Sequence, residues 1–135
     1  KLYIFRDKYI HMGLFDAFTR DEKNVWPGLK LDDMAKFNML MTNSFSTPQL
    51  IFKHSTRCSI SRFVLNTFIA NYGYSSQDFG AWYLDLLAYR SISNVIAQRL
   101  DVLHESPQLI IIKNGKTLES ATHENINNLY LTKYL

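Results

Sequence analysis

The sequence predicts an α/β fold in which helices flank a central mixed sheet of about four strands. Three observations carry that prediction. Apolar residues recur at spacings of three and four in segments that alternate with short apolar runs of strand length. A strand–helix–strand unit in the first half calls for a parallel pair joined by a right-handed crossover. An Asn-Gly pair between the last two extended runs calls for an antiparallel hairpin.

Taken in order, Gly13–Pro27 is polar and mixed, and Trp26-Pro27-Gly28 makes a turn-like break. From Leu31 the pattern is helical: Asp32 is placed to cap, and Met34, Phe37, Leu40 and Met41 share a face. Ser46, Thr47 and Pro48 end that helix. Gln49–His54 is a first strand. Ser55–Ser61 then leads into a helix carrying Ile60, Phe63, Val64, Thr67 and Phe68, so Cys58 sits where a strand hands over to a helix. Asn71–Gln77 reads as a loop, Ala81–Leu87 as a second strand, and Ser91 as the cap of a helix with Ile92, Val95, Ile96 and Leu100 inward. His104–Pro107 leads to a third strand, Gln108–Lys113. Asn114-Gly115 turns the chain back into Lys116–Ala121. Glu124–Tyr134 is expected as a closing helix with Ile126, Leu129, Tyr130 and Tyr134 facing inward. A parallel unit followed by a hairpin in this order is the thioredoxin topology.

Composition excludes several classes. A chain of 135 residues with 47% hydrophobic and 20% charged residues is globular and of one-domain size. Its longest aliphatic run, Leu109–Ile112, is far short of the roughly 18 residues a membrane span needs. Residues 1–12 hold Lys1, Arg6 and Lys8 against Asp7, so most of the net charge of +3 lies there and the remainder is nearly neutral. Such a body has no electrostatic footprint for nucleic acid or an anionic membrane. Residues 1–12 also lack a continuous apolar signal core; they read as an appended leader or disordered extension before a start at Met12, with residues 13–135 as a single domain. One cysteine rules out a disulfide-stapled secreted domain and points to a reducing cytoplasm.

Cys58 is the only thiol. Free cysteines are commonly buried and inert, but this one begins a helix beside Lys53, His54 and Arg57, the setting that lowers a thiol pKa. Lowering a thiol from about 8.5 to about 6 gives about 30-fold more thiolate at pH 7, yet costs about 10–18-fold in intrinsic nucleophilicity. The larger gain is therefore in leaving-group ability. Ser61 stands where a C-x-x-C motif would carry its second cysteine; it is either a hydrogen-bond donor to the thiolate or ordinary helix-surface polarity. With no second thiol, the chain cannot cycle through an internal disulfide, and turnover needs an outside thiol. A Cys58/His54 hydrolytic dyad lacks an orienting third group, and Cys58 with His54, His104 or His123 lacks metal-ligand spacing, so no metal site is expected. Asp32-Asp33 and Asp21-Glu22 read as capping or solvated charge, and no glycine loop for phosphate is present.

Phe52-Lys53-His54-Ser55-Thr56-Arg57-Cys58-Ser59-Ile60-Ser61 resembles the signature of the monothiol bacilliredoxins, the YtxJ-like general-stress family. Val102-Leu103-His104-Glu105-Ser106-Pro107-Gln108 resembles the motif before that family's third strand, while Ser91–Asn94 and Ala121–His123 fit more loosely. The resemblance covers roughly Trp26 to Ile126. It implies a thioredoxin-like fold with a cis proline, Pro107, beside the reactive cysteine. It also implies a thiol-disulfide oxidoreductase that removes bacillithiol, a small thiol, from S-bacillithiolated proteins. Cys58 would be the nucleophile, with Thr56, Arg57 and Ser61 its motif neighbours and the Ser106 backbone pairing with a substrate strand. His104 and Glu105 are either an edge of that site or a solvated turn. Bacillithiol would be a co-substrate, with no tightly bound cofactor. The alternative is a non-enzymatic stress or interaction module in which Cys58 is a regulatory thiol acceptor or an iron–sulfur ligand between two chains.

Overall fold

The structure, a computed structural model, describes residues 25–135. The expected leader at 1–12 and the polar stretch as far as residue 24 lie outside the described residues. Five strands form one sheet in the order β1-β3-β2-β4-β5: β1 (Leu29–Lys30), β2 (Gln49–His54), β3 (Gly80–Asp85), β4 (Gln108–Lys113) and β5 (Lys116–Thr122). β3 runs parallel to both β1 and β2, and β4 is antiparallel to β2 and β5. Three α-helices cross between strands: α1 (Met34–Asn43), α2 (Ser59–Asn71) and α3 (Arg90–Arg99).

β2 is the central strand, and all six of its residues are buried. Such a strand must place apolar side chains on both faces of the sheet. Leu50 and Phe52 join Val64, Phe68, Leu109 and Ile111 in a core under α2, closed by Ile126, Leu131 and Tyr134. Ile51 joins Phe37, Leu40, Trp82, Ile96 and Ile110 in a second core under α1 and α3. The strand period of two therefore divides β2 between two layers.

The structure adds one strand to the four expected. β1 is only two residues long, too short for any periodicity, and it pairs Leu29 with Trp82 and Lys30 with Tyr83. Gly28 permits the approach, because a Cβ there would run into the Ala81 carbonyl oxygen. Trp26 stacks on Phe68 with ring centroids 5.9 Å apart, fastening the start of the described chain to the α2 layer.

Other boundaries move for local reasons. Asp33, not Asp32, caps α1, accepting from the Lys36 N–H at 2.7 Å, while Asp32 pairs with the Lys36 ammonium. β3 ends at Asp85, whose carboxylate accepts from the Leu87 and Ala88 N–H groups and folds the turn into α3. Tyr89 rather than Ser91 is the residue preceding that helix, and Ser91 lies exposed within its first turn. At the hairpin Asn114 and Gly115 both take positive φ, 54° and 75°, as a tight two-residue turn requires. The expected closing helix is instead two 3₁₀ turns, His123–Asn128 and Leu131–Tyr134, broken by extended backbone at Leu129 and Tyr130. That break turns Leu131 inward beside Ile126 and Tyr134 and leaves Tyr130 exposed.

Candidate active site

β2 delivers the chain to the site. Beyond His54, Ser55 accepts the Cys58 N–H at 3.1 Å, and this tight turn sets Cys58, in extended conformation, as the N-cap of α2. The Cys58 carbonyl accepts the Arg62 N–H, so the thiol stands at the helix entrance among N–H groups that have no partner within the helix. Cys58 is half-buried and opens on a groove of about 380 Å³ lined by Thr56, Arg57, Ser59, Arg62, Phe63 and Asn66.

Arg62 was not singled out from the sequence. Four residues past Cys58, it returns to the thiol's rim, where its guanidinium donates to the Thr56 carbonyl at 3.0 Å. The i, i+4 spacing on a helix was the available signal.

The three cations expected around Cys58 separate. Arg57 stays on the groove. His54 lies behind the turn, its Nδ1 2.7 Å from Ser61 Oγ and its ring against Tyr83. Burial, and secondarily Arg62, hold His54 below the ordinary histidine range. Ser61 Oγ also accepts the Ser55 N–H at 3.2 Å. Hydrogen-bonded to Ser61 and held toward its neutral form by burial, His54 is a brace for the turn rather than a charge beside the thiol. The Ser61 hydroxyl is likewise committed to Ser55 and His54, and among the described residues it makes no hydrogen bond to Cys58.

Lys53 points the other way. Being the alternate residue on β2, it enters the α1/α3 layer, fully buried, with Nζ 3.4 Å from the Ser93 carbonyl and 3.5 Å from His104 Nδ1. Burial pushes the Lys53 ammonium down to about 8. His104 also meets Ser93 Oγ at 3.2 Å and is held below the ordinary range, first by burial and then by Lys53 and Arg90. Neither His104 nor Glu105 lines the Cys58 groove. The pairing of Lys53 with Gln108 brings Pro107 alongside the His54 end of β2, and the Ser106–Pro107 peptide is cis. Ser106 Oγ is buried there without a hydrogen-bond partner. Among the described residues, no three His, Cys, Asp or Glu side chains gather as a metal site, and no helix is long and apolar enough to cross a membrane.

Comparison with known proteins agrees with this architecture. Residues 29–131 match the family described as monothiol bacilliredoxin BrxC. Among solved structures, the chain is similar to a protein described as having a thioredoxin fold, at 26% identity and TM-score 0.62, covering 79% of this chain and 92% of that one. It is also similar to Fasciola hepatica thioredoxin (13% identity, TM-score 0.63, 78% and 98% covered). Thioredoxin O1 from Arabidopsis thaliana is a further neighbour (20% identity, TM-score 0.60, 80% and 97% covered). The two thioredoxins speak for the fold alone. The five-stranded mixed sheet with flanking helices is thus a thioredoxin fold, and its lone thiol at a helix entrance is equipped for thiol–disulfide redox chemistry. With the family match spanning both motif blocks, the chain belongs to the monothiol bacilliredoxin BrxC family.

Proposed function

We propose that the protein removes bacillithiol from protein mixed disulfides through Cys58 alone, in a reducing compartment such as the cytoplasm. The observation that carries this reading is one half-exposed thiol at a helix entrance, in a chain with no second cysteine. The Cys58 thiolate attacks the bacillithiol sulfur of the mixed disulfide. That S–S bond breaks as the Cys58–bacillithiol bond forms, and the freed protein thiolate takes a proton from water. An outside thiol then attacks the bacillithiol sulfur of the adduct, forming a new disulfide with it, and Cys58 leaves as the thiolate; overall the disulfide passes from the substrate protein to the outside thiol. Thr56 and Arg57 frame the attacking sulfur, and the Ser106–Pro107 segment offers the backbone edge for an extended substrate strand.

Intact-mass measurement after incubation with oxidised bacillithiol is the test. One bacillithiol should add per chain, a second thiol should remove it, and Cys58→Ser should take up none. A wild-type protein that gains no mass, or whose adduct no thiol releases, refutes the reading.

A further inference from the structure

The Cys58 groove carries more positive charge than a thiol–disulfide exchange requires. Arg57 and Arg62 both line it, and among the described residues no acidic side chain does. Among the described residues the one ion pair is Lys36–Asp32, outside this groove, so no described carboxylate pairs with either guanidinium. Arg62 is also held in place, because its donation to the Thr56 carbonyl pins the guanidinium over the turn that carries Cys58. Ser59, Arg62, Phe63 and Asn66 follow one another at helical spacing, so the groove runs along one face of α2. At about 1.5 Å per residue it extends about 12 Å from Cys58 to Asn66. Phe63, 73% exposed, gives it an apolar wall.

We propose that this groove seats the small-thiol half of the mixed disulfide, and that Arg57 and Arg62 read carboxylates on that thiol. The proposal rests on the function argued above and adds a specificity: Cys58 exchanges preferentially with small thiols that carry negative charge. A groove of about 380 Å³ is the size of a small-molecule site. Guanidinium groups match carboxylates in both charge and hydrogen-bond geometry. In the step itself, Cys58 Sγ bonds one sulfur of the incoming disulfide and its S–S bond breaks. The departing thiolate takes a proton from water, and the retained half lies along α2 with its carboxylate on the arginines. Exposed pairs of this kind are weak, so each arginine should supply about two- to fivefold in rate.

The test compares three disulfides of similar size: dithiodipropionate (anionic), hydroxyethyl disulfide (neutral) and cystamine (cationic). Adduct formation at Cys58 is followed by intact mass, and each rate is divided by that of the same chain unfolded in urea, which removes intrinsic reactivity. The expected order is anionic, neutral, cationic, with an anionic-to-neutral ratio of about tenfold. Arg57→Gln and Arg62→Gln should each lower that ratio two- to fivefold, and raised salt should lower it in the unmutated protein. Because the ratio cancels any change in thiolate content, it isolates recognition from reactivity. A wild-type ratio near one, or a ratio that neither salt nor the substitutions change, overturns the inference while leaving the proposed function standing. Failure of Cys58 to exchange with all three disulfides overturns both.

Discussion

Replacing Lys53 by Met should stabilise the protein at neutral pH and abolish part of its pH dependence. Lys53 is fully buried and meets only the Ser93 carbonyl and His104 Nδ1, both at long range and neither an anion. Burial lowers its pKa from the usual 10.5 to about 8. At about 1.4 kcal/mol per pKa unit, keeping the ammonium charged inside the fold costs on the order of 3 kcal/mol. The sign follows from proton counting. Between pH 8 and 10.5 the unfolded chain holds the Lys53 proton and the folded chain has released it, so wild-type stability rises with pH through that window. Below pH 8 both states are protonated and the full penalty is present. Met fills a similar unbranched volume without charge, and it forfeits two weak hydrogen bonds worth about 1 kcal/mol each. Its advantage should therefore be about 1–2 kcal/mol at pH 7 and should shrink or reverse by pH 10. Urea unfolding followed by tryptophan fluorescence at pH 7, 8, 9 and 10 reads this as the difference between the two proteins. The difference matters because Tyr72, pushed up to about 12 by burial, titrates in both and cancels. A difference that stays flat from pH 7 to 10 would refute the reasoning, since Lys53 would then titrate as an exposed lysine.

The Cys58 turn yields the remaining predictions. Ser61→Ala leaves the Ser55 N–H and His54 Nδ1 without their partner, at about 1–3 kcal/mol for a buried polar group, so denaturation should show a loss of about 2–3 kcal/mol. A loss below about 0.5 kcal/mol would mean the brace is not formed. Ser61→Cys restores the C-x-x-C spacing, and mass spectrometry should find an internal disulfide between the introduced thiol and Cys58 in place of the small-thiol adduct; a persistent adduct would contradict the helix-start geometry. His54, held below the usual range by burial, resists protonation in the fold, so wild-type stability falls as pH drops below about 6.5, where the unfolded chain gains the proton. The wild-type advantage over His54→Asn should accordingly shrink between pH 7 and pH 5, and an advantage that grows on acidification would reverse the assignment.

Much of this molecule is readable from short stretches of chain. The run Gln49–His54 matches β2 at both ends, and Gln108–Lys113 matches β4. The Asn114-Gly115 hairpin and the position of Cys58 at a helix start also follow from local chemistry, because turn geometry and helix periodicity are settled within a few residues. A single cysteine settles by count that any disulfide form needs an outside thiol. Elements without a local signal were less legible. β1 has two residues and takes its hydrogen bonds from a strand more than fifty positions along the chain, and the C-terminal 3₁₀ turns have helical composition but close against the α2 core in short pieces.

The charge around the thiol was decided by tertiary structure. Lys53, His54 and Arg57 all lie within five residues of Cys58, and proximity along the chain suggested three cations acting together. β2 is buried on both faces, so its alternation sends Lys53 into one layer and His54 into the other. The partners of Lys53 come from far along the chain, with Ser93 and His104 forty and fifty-one residues away. Whether a lysine or histidine is charged depends on the water and dipoles it keeps, and those belong to the packed layers rather than to its neighbours in sequence. What remains beside Cys58 is Arg57, already visible from the motif, and Arg62, which the first turn of α2 returns to the rim.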